Sequence, residues 1–172
     1  MAIDIKEILA NGLLDLCHKK DLSQVTVKDL LETTGVSRQT FYNHFLDKND
    51  LIQYIYNHKI INHFNGQNTN LDFYESLIES FEHMKQYQTF LKQACLMDGQ
   101  NCLKEYIPKH CEEFDLKWHQ QLYGEKLMPD ALKFATIYHA KCNDFVMDFI
   151  GYESPCRRNG KNDYPNARAW NG

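Results

Sequence analysis

No apolar run in this sequence approaches the ~20 residues needed to cross a bilayer. Its first residues, MAIDIKEILANG, are amphipathic and acidic and do not make a signal peptide, so a cytoplasmic protein with no membrane role is expected. Strand-like alternation is missing throughout, and no segment repeats. The six cysteines at 17, 95, 102, 111, 142 and 156 form no CxxC pair. Most fall on apolar helical faces, which predicts free buried thiols instead of disulfides or a metal site. The histidines lack ligand spacing: His58 and His63 are five apart, and His110-Cys111 with His119 matches no usual metal pattern. No Ser/His/Asp order, glycine-rich phosphate loop or paired acid stands out, so neither catalysis nor a cofactor is expected. Excess positive charge is also missing. The formal net charge is −4 and the pI about 6.0. Within residues 1–50, Lys6, Lys19, Lys20, Lys28, Arg38 and Lys48 are outnumbered by Asp4, Glu7, Asp15, Asp21, Asp29, Glu32, Asp47 and Asp50.

One local absence points the other way: no Asp or Glu occurs between Thr33 and Leu46. That gap lies inside TVKDLLETTGVSRQTFYNHFLDKNDL, residues 26–51, which reads as helix, tight turn, second helix and the start of a third. Thr26 is an N-cap, with Asp29 three residues later. Val27, Leu30 and Leu31 share one helical face. Gly35 can take positive φ and end the helix, and Ser37 can cap the next. Phe41 and Phe45, one turn apart, point inward with Val36. Arg38, Gln39, Thr40, Tyr42, Asn43 and His44 are left facing outward. Such a face suits major-groove reading: Arg pairs bidentately with guanine, Gln or Asn with adenine, and Thr meets a thymine methyl. With so little positive charge, phosphate contacts are expected to lean on hydroxyls and amide N–H groups, with a shallow salt dependence.

This stretch resembles the DNA-binding signature of the TetR family of bacterial transcriptional regulators. The matching pieces are Thr26-Val27, the turn Gly35-Val36-Ser37, Phe41-Tyr42 with His44-Phe45, and Lys48 with Leu51. RQTFYNHF followed by DKNDLIQYIY is similar to a subgroup that includes dihydroxyacetone-kinase operon regulators. The resemblance implies an all-α protein with an N-terminal three-helix reader and a C-terminal antiparallel helical bundle. It implies Arg38, Gln39, Thr40 and Asn43 as base-reading residues. Thr26, Ser37, Tyr42, His44 and Lys48 become contacts to the DNA backbone. It further implies a homodimer on double-stranded DNA, a small-molecule effector held in the bundle, and repression as the commoner outcome.

Along the chain, residues 2–20 read as a first helix with Ile5, Ile8, Leu9, Leu13, Leu16 and Cys17 on one stripe, closed by Lys19 and Lys20. Asp21 to Val25 is a connector. Asp47 caps a fourth helix expected to run to about Phe64, with Lys48 on its first turn in reach of a phosphate. GQNTN at 66–70 is a loop. Helices are expected over 71–86, over 90–97 up to Asp98-Gly99, over 102–123 with a kink or restart at Pro108, and from Pro129 to about Ile150. From Gly151 on, the chain has two prolines, three glycines, four asparagines and no helical period, and reads as an irregular tail. The family usually ends in one more helix at the dimer interface, and this tail departs from that pattern.

The expected division is therefore 1–47 for DNA reading, 48–150 for effector binding and dimerisation, and 151–172 for the tail. The aromatic rings after residue 70 either fill a core or line a ligand cavity. For a cavity, Trp118, Tyr138 and His139 are the first choices. Two other function classes stay open: an interaction protein of the same fold that works through a protein partner without a ligand, and a small helical carrier or enzyme. A bundle without a cavity would favour the first, and a buried polar cluster the second.

Overall fold

A computed structural model describes residues 4–61, 82–110, 112–113 and 124. Every regular element among them is helical. Helix α1 spans Ile5–Cys17, with the Asp4 carboxylate accepting from Lys6 N and Glu7 N at 3.0 and 3.3 Å. It stops short of the expected Lys20. Lys19 N and Lys20 N both fold back onto Leu16 O, and the Lys20 ammonium leaves the helix end for Asp29, 2.7 Å away. The connector is itself ordered: Leu22–Gln24 forms a 3-10 turn capped by Asp21 through Ser23 N at 2.8 Å, and Leu22 is fully buried.

Helix α2, Val27–Thr34, opens on a reciprocal cap. Asp29 N donates to Thr26 Oγ1 at 3.2 Å, and Thr26 N donates to Asp29 Oδ2 at 2.7 Å, so two otherwise orphaned amides are satisfied. Gly35 ends it at φ 69°, its N–H bonded to Leu31 O. Helix α3, Arg38–His44, starts from Ser37, whose hydroxyl accepts Thr40 N at 3.0 Å. Helix α4, Lys48–Ile55, starts from Asp47, which accepts Asp50 N, while Asp50 accepts Leu46 N.

Gly12 brings α1 against α2. A Cβ there would stand 2.3 Å from Thr34 Cγ2 and 3.3 Å from Leu30 Cδ1. Around this contact Leu9, Leu13, Leu22, Leu30, Phe41, Phe45, Leu51 and Ile55 form the core of the reader. The Phe41 and Phe45 centroids are 5.9 Å apart, and Tyr54 meets Phe45 edge-on at 5.4 Å. Lys6 lies over both Phe45 and Tyr54.

The fourth helix does not continue as a regular α-helix. Over Tyr56–Ile60 the bonding widens to a π turn, and Ile61 N reaches Tyr56 O at 3.1 Å. The cause is legible in the burial. Ile55 and Ile60, and likewise Tyr56 and Ile61, are five residues apart and all buried. Only the wider turn stacks both pairs inward. It also turns Lys59 toward Glu7 of α1, with which it forms an ion pair. Residues 62–64 lie outside the described set.

Helix α5 covers 82–86, and helix α6 covers Gln88–Leu96, with Phe90, Leu91, Ala94 and Cys95 buried. Gly99 (φ 124°) and Asn101 (φ 59°) make the turn expected after Met97. Helix α7 covers 103–110 and buries Leu103 and Ile107; it runs past Pro108 without restarting. Gly124 has φ 61°, a left-handed backbone that suits glycine. The buried side chains of 4–61 and 82–110 form one continuous core. The loop expected at 66–70, residues 71–81 of the helix expected over 71–86, residues 114–123 of the helix expected over 102–123 and ended by Gly124, the helix expected over 129–150, the tail, and Cys111, Cys142 and Cys156 lie outside the described residues. Among the described ones, Cys17, Cys95 and Cys102 are free and buried, and no helix is long and apolar enough to cross a membrane.

Candidate nucleic-acid interface

Helix α3 is held from behind by Phe41 and Phe45, which are 0% and 3% exposed. Burying both rings fixes the helix rotation and turns Arg38, Gln39, Tyr42, Asn43 and His44 to solvent. Arg38 is ordered on that face: its guanidinium carbon lies 5.5 Å from the Tyr42 ring centre, an i, i+4 pair that limits where the donors can point. Tyr42 in turn meets Phe41 edge-on at 5.1 Å. Thr40 is half-buried, and its hydroxyl is 2.8 Å from Ser37 Oγ. With that hydroxyl engaged, the methyl is the part left for an apolar base contact.

The five residues expected at the DNA backbone divide into three groups. Tyr42 and His44 are exposed. Thr26 and Ser37 are exposed too, but each serves a helix cap. The Thr26 hydroxyl sits 2.6 Å from Asp29 Oδ2, and Ser37 Oγ bonds both the amide and the hydroxyl of Thr40. Lys48 points inward. Its ammonium donates to Leu22 O at 2.8 Å and Val25 O at 2.7 Å. Burial lowers its pKa, and the negative charge of Asp21 and Asp29 opposes that only in part. Its clearest role is to brace the 3-10 turn before α2.

Asp29 is held below the usual carboxylate range, first by the hydrogen bond from Lys20 and then by those from the Thr26 hydroxyl and amide. Its charge is thereby paired with Lys20 and engaged in the α2 cap. Trp118, Tyr138 and His139, the residues expected to line an effector pocket, lie outside the described residues. No group of three or more potential metal ligands occurs among the described ones. The Cys17 and Cys95 thiols are pushed up to about 12 by burial.

Residues 12–55 match the family model described as bacterial regulatory proteins, tetR family. This segment resembles the DNA-binding unit of the TetR family. The TetR match begins at Gly12, where α1 meets α2, and ends at Ile55, where α4 gives way to the π turn. Among curated proteins, the chain is 24% identical over 97 residues to the HTH-type dhaKLM operon transcriptional activator DhaS of Lactococcus lactis subsp. lactis (strain IL1403). That alignment covers 56% of this chain and 52% of the relative, so it spans about half the relative's length. Among solved structures, the dihydroxyacetone kinase operon activator DhaS superposes with a TM-score of 0.63 at 21% identity, over 89% of this chain and 88% of that one. The fold is therefore all-α and TetR-like, and both relatives fall in the subgroup that RQTFYNHF resembles.

Two residues that position this TetR-like unit escaped the sequence reading. Gly12 had a visible signal, a glycine inside an apolar helical stripe. Gln93 had none. Its side chain reaches from α6 to Cys17 O and Leu22 N, partners that no local pattern could have named.

Proposed function

We propose that this chain is a transcriptional regulator that binds a near-palindromic operator as a two-fold dimer. The recognition helices enter successive major grooves about 34–36 Å apart. Arg38, Gln39, Thr40 and Asn43 read base edges, while Tyr42 and His44 contact the backbone. The observation that carries this reading is the face of α3: five exposed polar or aromatic side chains, free of acids, on a helix whose rotation Phe41 and Phe45 lock. Residues 1–47 serve DNA reading. Residues 48–150 serve dimerisation and the binding of a small-molecule effector, which acts by its difference in affinity for two conformers. Both relatives are activators by name, which favours activation here over the repression that the family resemblance suggested.

Selection of bound DNA from a random pool, with and without a metabolite extract, tests the reading. A two-fold symmetric site should emerge, and the extract should shift its affinity. Gln39→Ala with Thr40→Ala should lose sequence preference more than general affinity. An unchanged binding-site profile in that double variant would overturn the base-reading assignment.

A further inference from the structure

Among the described residues the reader and the later helices touch through few polar bonds, and these differ in kind; one, from Asn57 Nδ2 to the Tyr106 hydroxyl at 2.7 Å, is half-buried and ties the π turn to α7. Asn49 Nδ2 donates to Gln100 O at 3.0 Å and Gln53 Nε2 to Asn101 O at 2.8 Å; both are exposed bonds that tie α4 to the turn after α6. Gln93, on α6 itself, makes a half-buried bridge. Its Oε1 accepts Leu22 N at 2.8 Å, and its Nε2 donates to Cys17 O at 3.1 Å. One planar amide thus holds the last carbonyl of α1 and the first amide of the 3-10 turn. Lys48 also holds this turn, through the carbonyls of Leu22 and Val25. The residue after Val25 is Thr26, the cap on which α2 begins.

We infer that Gln93 is a positioning residue, through which the place of α6 sets the pose of the α1–α2 junction and hence of the recognition helix. The inference rests on the operator-binding reading above. The amide can satisfy both partners at one setting of α6 only. The oxygen and nitrogen of a carboxamide are fixed relative to each other, and hydrogen bonds weaken steeply once they lengthen or bend. A shift of α6 along its axis therefore either breaks the bridge or carries the turn with it. Because the turn is also gripped by Lys48, it moves as one piece with the start of α4. Partial burial makes the bridge stronger than the two exposed bonds, since water competes less well for its groups.

The test uses the full chain and the symmetric site selected from a random DNA pool, together with versions carrying one to three extra base pairs between the half-sites. Gln93→Met keeps the side chain's length and removes both bonds. Gln93→Glu keeps an acceptor for Leu22 N. The wild type should discriminate sharply among spacings. In Gln93→Met that discrimination should fall about tenfold, the factor expected for two modest hydrogen bonds. Gln93→Glu should recover part of it. Affinity for the best spacing should fall less than discrimination does, and the helical circular dichroism should stay unchanged. Equal weakening on every spacing, with the preference ratio intact, would show that Gln93 only stabilises the fold and would overturn the inference alone. A wild type that selects no sequence, or only a single half-site, would overturn the operator-binding reading and the inference with it.

Discussion

Adding one methyl group at Gly12 measures how closely α1 and α2 are interlocked. In Gly12→Ala the new Cβ would lie 2.3 Å from Thr34 Cγ2, where carbon atoms ordinarily rest about 3.5–4.0 Å apart. A shift of roughly 1.2 Å or more must be found. Thr34 cannot supply it cheaply. It is β-branched, and its hydroxyl donates to Leu30 O at 2.8 Å, so turning the methyl away gives up that bond. The second neighbour, Leu30 Cδ1 at 3.3 Å, belongs to a side chain only 1% exposed, which has little room to move. Overpacking of this kind costs about 1–3 kcal/mol, against a gain of about 1 kcal/mol for alanine over glycine inside a helix. Net destabilisation of up to about 2 kcal/mol follows. Thr34→Ser removes the offending methyl and keeps the hydroxyl. In that background Gly12→Ala should become neutral or stabilising, so a double-mutant cycle should return a coupling of about 1–3 kcal/mol. Urea unfolding of the four proteins measures it. The same effect of Gly12→Ala in both backgrounds would refute the packing reasoning.

Three further outcomes are expected. Asp29 has a folded pKa below its unfolded value of about 3.9. Its stabilising contacts are therefore present above about pH 4 and lost as the pH falls through the folded value; Asp29→Asn should flatten this part of an acid titration of stability, and an identical acid slope would count against it. Lys48→Met should lower stability by about 1–2 kcal/mol, because two turn carbonyls lose a charged donor that is itself half exposed. A variant of unchanged stability that had lost affinity for all DNA alike would instead restore Lys48 to a phosphate. Gly35→Ala meets no atom within 4 Å, so its cost is the left-handed backbone alone, about 1–2 kcal/mol, with Gly35→Asn costing less; equal losses would point to another cause.

What could be read in advance follows the range of the interactions involved. The Thr26–Asp29 box, the Gly35 stop, the Ser37 cap and the Asp47–Asp50 start each close within four residues, and all are present. Phe41 and Phe45 were legible for the same reason, since helical spacing alone sends both inward. Lys48 shows where local reading stops. Its place on the first turn suggested a phosphate, but helical side chains lean toward the N-terminus, and here that direction leads over the turn formed 23 to 26 residues earlier. The Gln93 bridge spans 71 and 76 residues, beyond any periodic signal. The π turn lies between these cases. Its five-residue spacing of Ile55 with Ile60 and Tyr56 with Ile61 is present in the sequence, but a search for periods of 3.6 passes over it.

Cys17, whose carbonyl Gln93 holds, also carries a buried free thiol, and Cys95 lies two residues beyond Gln93 on α6. Burial keeps both thiols protonated and inaccessible while the helices are together. The junction thus contains its own clock. A thiol reagent at neutral pH can react at these positions only during an opening, so the labelling rate reads how often the reader parts from α6. No probe has to be introduced, and the same measurement with DNA present would show whether binding slows that breathing.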